Sequence, residues 1–227
     1  MRIAAAVALG LVGLGVGVFV NLLVERVPDK LPLLPLDRSL RPADGQEWFA
    51  VVLTGGLWAA AVLRFGADPA LPAYLVFLTS LVAVSLIDLD LNIIPNRIVY
   101  PTIFLSVPLL AVAAALDGDF NDLGRGLVGG GLAFLALFLV WLVYPAGMGF
   151  GDVRLAFVLG LFLGWLSLGH VLVGIFCGFL LGAVVGVVLV AFRIRNRKDA
   201  IPFGPFLAVG AAVTVLAGDP LVRWWLG

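Results

Sequence analysis

Charged side chains are scarce in this sequence, at 12% of 227 residues, whereas 63% of the residues are hydrophobic and the mean hydropathy is +1.16. Soluble domains carry about a quarter of their residues as charged types. A soluble chain this apolar could not cover its own surface with polar groups, so the composition excludes a water-soluble globular protein. The formal net charge is zero, which indicates no nucleic-acid partner.

Cysteine and histidine occur only once each. Cys177 cannot form a disulfide within the chain, and its apolar surroundings indicate a buried structural thiol. We interpret His170, at the edge of an apolar run, as a polar residue of the membrane interface and not as a catalytic group. The sequence offers no cluster of metal-ligating side chains, so we predict no metal site.

Long apolar runs fill most of the remaining sequence. About 17–25 apolar residues suffice for a helix to cross the hydrocarbon core, where every backbone polar group must be satisfied internally. The sequence therefore predicts an all-α, polytopic integral membrane protein with about eight transmembrane helices. A secretory signal peptide is an alternative for the first run, but no small-residue cleavage site with a polar segment follows it. The predicted spans are Ile3–Val24, Trp48–Leu63, Leu71–Ile87, Ile98–Leu116, Gly126–Tyr144, Val153–Leu168, His170–Phe192 and Pro202–Leu216.

Lysine and arginine are distributed unevenly between the two sides of these spans. With the N-terminus outside, ten basic residues fall in cytoplasmic loops and four outside, which satisfies the positive-inside rule. We therefore predict both chain ends outside the cytoplasm. The longest loop, residues 25–47, is predicted to be cytoplasmic and is too short for a separate domain, so residues 1–227 form a single membrane-embedded domain in this interpretation.

Most of the fourteen acidic residues lie in evident loops, but three lie where apolar spans meet the predicted cytoplasmic face. Asp88 and Asp90 follow the third span, and Asp152 begins the sixth. Ionisable groups at membrane depth are costly and usually functional. The predicted topology places Asp88 and Asp152 at the same face, so the two can form a pair.

Two adjacent carboxyl groups cannot both ionise readily, so they share one proton. The ionised group can then take a proton from water, while the protonated group hydrogen-bonds the carbonyl oxygen under attack. Such a pair would hydrolyse a peptide bond without a metal or an organic cofactor. Two alternatives stay open at this point: Asp90 could replace Asp88, and Asp88 and Asp90 could simply mark the membrane boundary.

Glycines alternate just before Asp152, at Gly147, Gly149 and Gly151. Glycine permits unusual backbone torsions and lets another chain approach closely, which an extended scissile peptide would need. An ordinary turn between helices is the alternative, because the chain has 28 glycines. Pro95 and Asn96 are predicted to turn the chain back into the fourth span.

Four blocks of this sequence resemble the type IV prepilin peptidases, which are GxGD aspartyl proteases. Gly149–Asp152 matches the GxGD signature, and Ile87–Asp90 with Ile94–Asn96 looks like the first aspartate box of that family. Gly17–Pro28 is similar to its N-terminal block, and Ile201–Leu207 resembles its C-terminal block.

The resemblance implies that Asp88, in preference to Asp90, and Asp152 are the catalytic residues, with Gly149, Gly151, Pro95 and Asn96 supporting the motifs. It implies an endopeptidase that cuts the leader from type IV prepilins or pseudopilins at the cytoplasmic face of the bacterial inner membrane. The expected partners are this substrate and the lipid bilayer.

Many bacterial members of that family also methylate the new N-terminus with S-adenosylmethionine, and they carry paired CxxC motifs after the first span. Residues 25–47 contain no cysteine, so a zinc site of four thiolates cannot form there. We therefore expect reduced or absent methyltransferase activity and no cofactor for the peptidase reaction. The alternatives are a proton-coupled membrane transporter and a GxGD protease with another membrane substrate.

Overall fold

The computed structural model describes residues 2–32, 44–145, 147–193 and 202–226. All regular structure in these ranges is helical, which confirms the predicted all-α class. Each of the eight predicted spans corresponds to one helix, and a ninth short helix, which the apolar runs did not predict, follows the last. The helices are α1 (Arg2–Arg26), α2 (Gly45–Phe65), α3 (Leu71–Leu91), α4 (Asn96–Asp117), α5 (Asn121–Val143), α6 (Phe150–Leu166), α7 (Leu168–Ala191), α8 (Gly204–Ala217) and α9 (Asp219–Leu226).

Six of the described helices, α1 to α5 and α7, are long and apolar enough to cross a membrane. Helices α8 and α9 are bent by 93° at their junction and would make a seventh if the pair counts as one broken span. Helix α6 has 17 residues and spans only about 25 Å at 1.5 Å per residue. The chain is thus a polytopic membrane protein, and the predicted number of about eight spans is close to the number found.

The chain divides into two compact units. The first contains Met1–Ile87 and Pro95–Phe120, and the second contains Asp88–Ile94 and Asn121–Gly227. Part of the predicted cytoplasmic loop, residues 33–43, lies outside the described residues. The last turn of α3, including Asp88, thus belongs with α5 to α9.

In the first unit, α1 and α2 approach closely because small residues face each other. A Cβ added to Gly17 would lie 2.5 Å from the Cα of Val51, so only glycine fits there. Helix α2 is tied to α3 by the indole of Trp58, which donates a 3.0 Å hydrogen bond to Thr79 Oγ1.

In the second unit, α5 and α6 form a pair with an interface of glycines. A Cβ on Gly129 would lie 2.6 Å from the carbonyl oxygen of Gly160, and one on Gly160 would lie 2.3 Å from that of Gly129. At the far end of α6, Arg125 donates to carbonyls that no longer have helical partners: Nε to Gly164 at 2.9 Å and Nη2 to Leu166 at 3.1 Å. These contacts fix the helix that carries Asp152.

Helix α7 begins at a polar cluster in the same unit. Ser167 caps it by accepting from the backbone N–H of His170, and the serine hydroxyl lies 2.7 Å from His170 Nδ1. The other ring nitrogen of His170 lies 3.1 Å from an oxygen of Asp219, so the histidine links α7 to α9. The prediction that Cys177 is buried is wrong in degree. Cys177 is a free cysteine and is half-buried, because α7 buries only one of its faces.

Candidate active site

Asp88 lies in the last turn of α3, a helix whose apolar residues are largely buried. The helix ends at Leu91, because the next residue, Asn92, takes a positive φ of 54°, a conformation that terminates helices. The N–H of Asn92 donates to the carbonyl of Asp88. The side chain of Asp88 is 5% exposed. Asp90, two positions on, lies on the exposed side of the helix, as helical spacing requires.

Asp152 lies in the first turn of α6, where the helix macrodipole favours a negative charge. Gly149 caps this helix with ordinary extended torsions, φ −69° and ψ 141°. Asp152 is 7% exposed, and its Oδ1 has no hydrogen-bond partner among the described residues. Asp152 is thus a buried carboxyl group that is fixed by its helix and has one free oxygen.

Gly149 and Gly151, just before Asp152, lie where neighbouring atoms leave little room for a side chain, and their backbone torsions are ordinary. Neither Gly149 nor Gly151 has a positive φ, so the torsional part of the sequence interpretation is wrong here. A Cβ on Gly149 would lie 3.3 Å from Asp152 Oδ2, and one on Gly151 would lie 2.8 Å from the Cβ of Ile94. Both glycines leave room beside the carboxyl group or its neighbouring segment.

The N-terminus of α8 brings a third segment to Asp88. The backbone N–H of Gly204, the first residue of that helix, donates a 2.9 Å hydrogen bond to Asp88 Oδ2. A Cβ at Gly204 would lie 2.8 Å from the same oxygen, which explains glycine at this position. A helix N-terminus is suited to hold a carboxylate because its first N–H groups have no partner within the helix.

The structure brings Asp88 and Asp152 together within the second unit. Their carboxyl groups are near enough for a direct electrostatic repulsion between the two charges. Ile94 connects their surroundings, since it packs against Gly151 on one side and Gly204 on the other. Both carboxyl groups are buried, so the charge on each interacts strongly with the other.

Pro95 and Asn96 lie in the first unit, at the start of α4. Pro95 is the N-cap of that helix, with φ −72° and ψ 131°, and Asn96 is its first residue. Proline is compatible with this position because it needs no backbone donor there. The prediction of a turn into the fourth span is confirmed, because α3 has ended by Leu91 and α4 begins at Asn96.

Sequence reasoning did not find Gly204 or Ile94 as neighbours of the acidic pair. Gly204 lies in the C-terminal block and Ile94 in the first aspartate box, so both had been noticed only as parts of motifs. No spacing rule connects Asp88 with a residue 116 positions away.

Comparison with known proteins shows which family this sequence resembles. The sequence model of the type IV leader peptidase family matches residues 75–190, half of the chain, and includes both Asp88 and Asp152. The chain belongs to this family.

One curated relative is the prepilin leader peptidase/N-methyltransferase of Aeromonas hydrophila. It is 37% identical to this chain, over 64% of this chain and 49% of the relative. The protein of the same name from Bacillus subtilis is 33% identical over 78% of the chain and 68% of the relative. That from Pseudomonas aeruginosa is 32% identical over 83% and 64%, respectively. This chain thus spans about half the length of the Aeromonas relative. No solved structure matches this chain.

Proposed function

We propose that this chain is an aspartic endopeptidase that removes the leader peptide of type IV prepilins or pseudopilins, with Asp88 and Asp152 as its catalytic pair. The observation that carries the proposal is the convergence of two buried carboxyl groups from distant segments. The family match covers both segments, and the curated relatives named above are called prepilin leader peptidases. Membership of this family argues against the transporter alternative.

The surroundings of the two carboxyl groups differ, which supports a division of roles. Asp88 accepts a backbone N–H from the start of α8, and such a bond favours its ionised form. Asp152 keeps one buried oxygen without a partner among the described residues, where a shared proton can reside. The dipole of α6 favours a charge on Asp152 as well, but the buried oxygen without a partner opposes that charge. We therefore assign Asp88 as the base and Asp152 as the acid.

In this mechanism Asp88 takes a proton from a water molecule as the water oxygen bonds to the scissile carbonyl carbon. Asp152 donates its proton to the carbonyl oxygen and so neutralises the developing charge. When the tetrahedral intermediate collapses, the C–N bond breaks and the leaving nitrogen takes the proton that Asp88 had accepted. Asp152 recovers its proton from the intermediate's hydroxyl, so both groups return to their starting states.

The test is to express Asp88→Asn and Asp152→Asn with a prepilin and to follow removal of the leader by mass spectrometry. Each variant should lose cleavage, because an amide can neither accept the water proton nor share one. Asp90→Asn is the matched control: it changes an acid on the same helical turn that lies on the exposed side, and it should keep activity. Normal cleavage by either of the first two variants would refute the pair.

We further propose that the chain lies in the inner membrane with the pair at the cytoplasmic face. The bias of Lys and Arg toward the loops on that side supports this orientation. A cysteine introduced at Asp90 in a Cys177→Ser background should react with a membrane-impermeant maleimide only after the cells are opened. Labelling of intact spheroplasts would place this end of α3 on the outer side.

We propose that cleavage proceeds without methylation of the new N-terminus. The curated relatives carry N-methyltransferase in their names, but residues 25–47 lack the thiolates that a zinc-stabilised domain needs. The mature pilin N-terminus should therefore be unmethylated when this chain is the only processing enzyme. A methylated terminus under those conditions would show that the short loop, or another segment, binds S-adenosylmethionine.

A further inference from the structure

Ile94 occupies a distinctive place beside the acidic pair. It lies in the short segment that follows α3, and it is half-buried. The positions a Cβ would take at Gly151 and Gly204 are 2.8 Å and 3.2 Å from its side chain, so it touches both glycine backbones. Gly151 directly precedes Asp152, and Gly204 holds Asp88 by a hydrogen bond.

The packing around Ile94 leaves little freedom in the separation of the two segments. Because neither glycine has a side chain, the isoleucine contacts the two backbones directly. Isoleucine is branched at Cβ and has few accessible rotamers, which makes it a stiffer spacer than leucine or methionine. A smaller residue would leave a void between the start of α6 and the start of α8, and these two starts would then lose a common support.

We propose that Ile94 is a positioning residue that sets the separation of the Asp88 and Asp152 carboxyl groups by packing between Gly151 and Gly204. The proposal rests on the function proposed above, because it concerns the same pair. Ile94 offers no group that could exchange a proton, so it acts on the reaction only through the two acids.

The first test compares Ile94→Val, Ile94→Ala and Ile93→Ala in a cleavage assay with purified prepilin. Displacement of reacting groups by 1 Å can cost about 100-fold in rate. Ile94→Ala should therefore lower kcat at least about tenfold with little change in KM, and Ile94→Val should lie between it and the wild type. Ile93→Ala is the matched control, since its neighbouring side chain is 45% exposed, and it should keep the wild-type kcat.

A rescue experiment separates positioning from general stability. Gly151→Ala places its new Cβ 2.8 Å from the Cβ of Ile94 and should impair cleavage. Adding Ile94→Gly removes that atom, so the double variant should cleave faster than Gly151→Ala alone. Gly204→Ala meets Asp88 Oδ2 at 2.8 Å and Ile94 at 3.2 Å. Ile94→Gly relieves only the second contact, so this second double variant should gain less than the first.

A third measurement does not depend on the substrate. In a Cys177→Ser background, Asp88→Cys and Asp152→Cys create a cysteine pair whose oxidation rate in isolated membranes reports their separation. Ile94→Ala should change that rate at least severalfold, whereas Ile93→Ala should not. The proposal is overturned if the rates agree, or if Ile94→Ala keeps the wild-type kcat while Asp88→Asn and Asp152→Asn are inactive. If the wild type cuts no prepilin, the proposed function fails, and the oxidation rates alone decide the role of Ile94.

Discussion

Replacement of Gly129 by alanine tests the glycine interface that holds α6, the helix of Asp152. The new Cβ would lie 2.6 Å from the carbonyl oxygen of Gly160, and ordinary contact begins near 3.4 Å. The obstacle is backbone, so it cannot rotate away, and the two helices must separate by the difference of about 0.8 Å. A gap of that size forfeits a quarter to a half of the dispersion energy of each facing atom pair.

Gly131→Ala supplies the matched control. Gly131 lies two residues along the same helix, and a Cβ there would meet nothing within 4 Å. Both substitutions gain up to about 1 kcal/mol of helix propensity, so this gain cancels in the comparison. The remaining difference is the cost of overpacking, about 1–3 kcal/mol in the free energy of unfolding.

The assay is unfolding in mixed micelles with increasing SDS, followed by circular dichroism, with leader cleavage measured on the same samples. Gly129→Ala should unfold at lower SDS than the wild type, and Gly131→Ala at equal or higher SDS. Equal unfolding midpoints for the two variants would refute the argument that backbone contact between α5 and α6 limits this interface.

Five further substitutions test other contacts by the same unfolding assay. Arg125→Met should lower the free energy of unfolding by about 1.5–3 kcal/mol, because carbonyls at the end of α6 lose charged donors. Asp122→Asn breaks only the partly exposed ion pair with Arg125 and should cost less than about 1 kcal/mol; equal losses would contradict this ranking. Ser167→Ala removes the cap of α7 and should lower the free energy of unfolding by about 1 kcal/mol. An unchanged free energy of unfolding would show that this cap does not stabilise the protein. Trp58→Phe should cost about 0.5–1.5 kcal/mol through loss of the bond to Thr79, and Thr79→Val should then add little.

Hydropathy was sufficient to predict eight of the nine helices in the described residues. A chain with only 12% charged residues has few other ways to satisfy its backbone hydrogen bonds in a bilayer. It did not predict α9, since Asp219 and Arg223 interrupt the apolar run there. Helix α9 has 8 residues, and a search for spans of about 17–25 apolar residues does not detect a helix of that length, even one that carries an exposed Trp224.

The acidic pair could be predicted because ionisable residues at membrane depth are rare, and Asp88 and Asp152 stood out among fourteen acids. The neighbours of the pair could not be predicted, because Gly204 acts through its backbone N–H and Ile94 through its apolar surface. Neither property distinguishes them from the other glycines and isoleucines of the chain. Their roles follow only from which segments pack together.

The hydrogen bond between Gly204 and Asp88 joins residues 116 positions apart. During synthesis on the ribosome, both aspartates are translated before α8. The nascent protein therefore holds its two acids without the contact that fixes one of them. Until α8 has been made and inserted, Asp88 would lack this backbone donor, and the proposed catalytic pair would be incomplete in that respect.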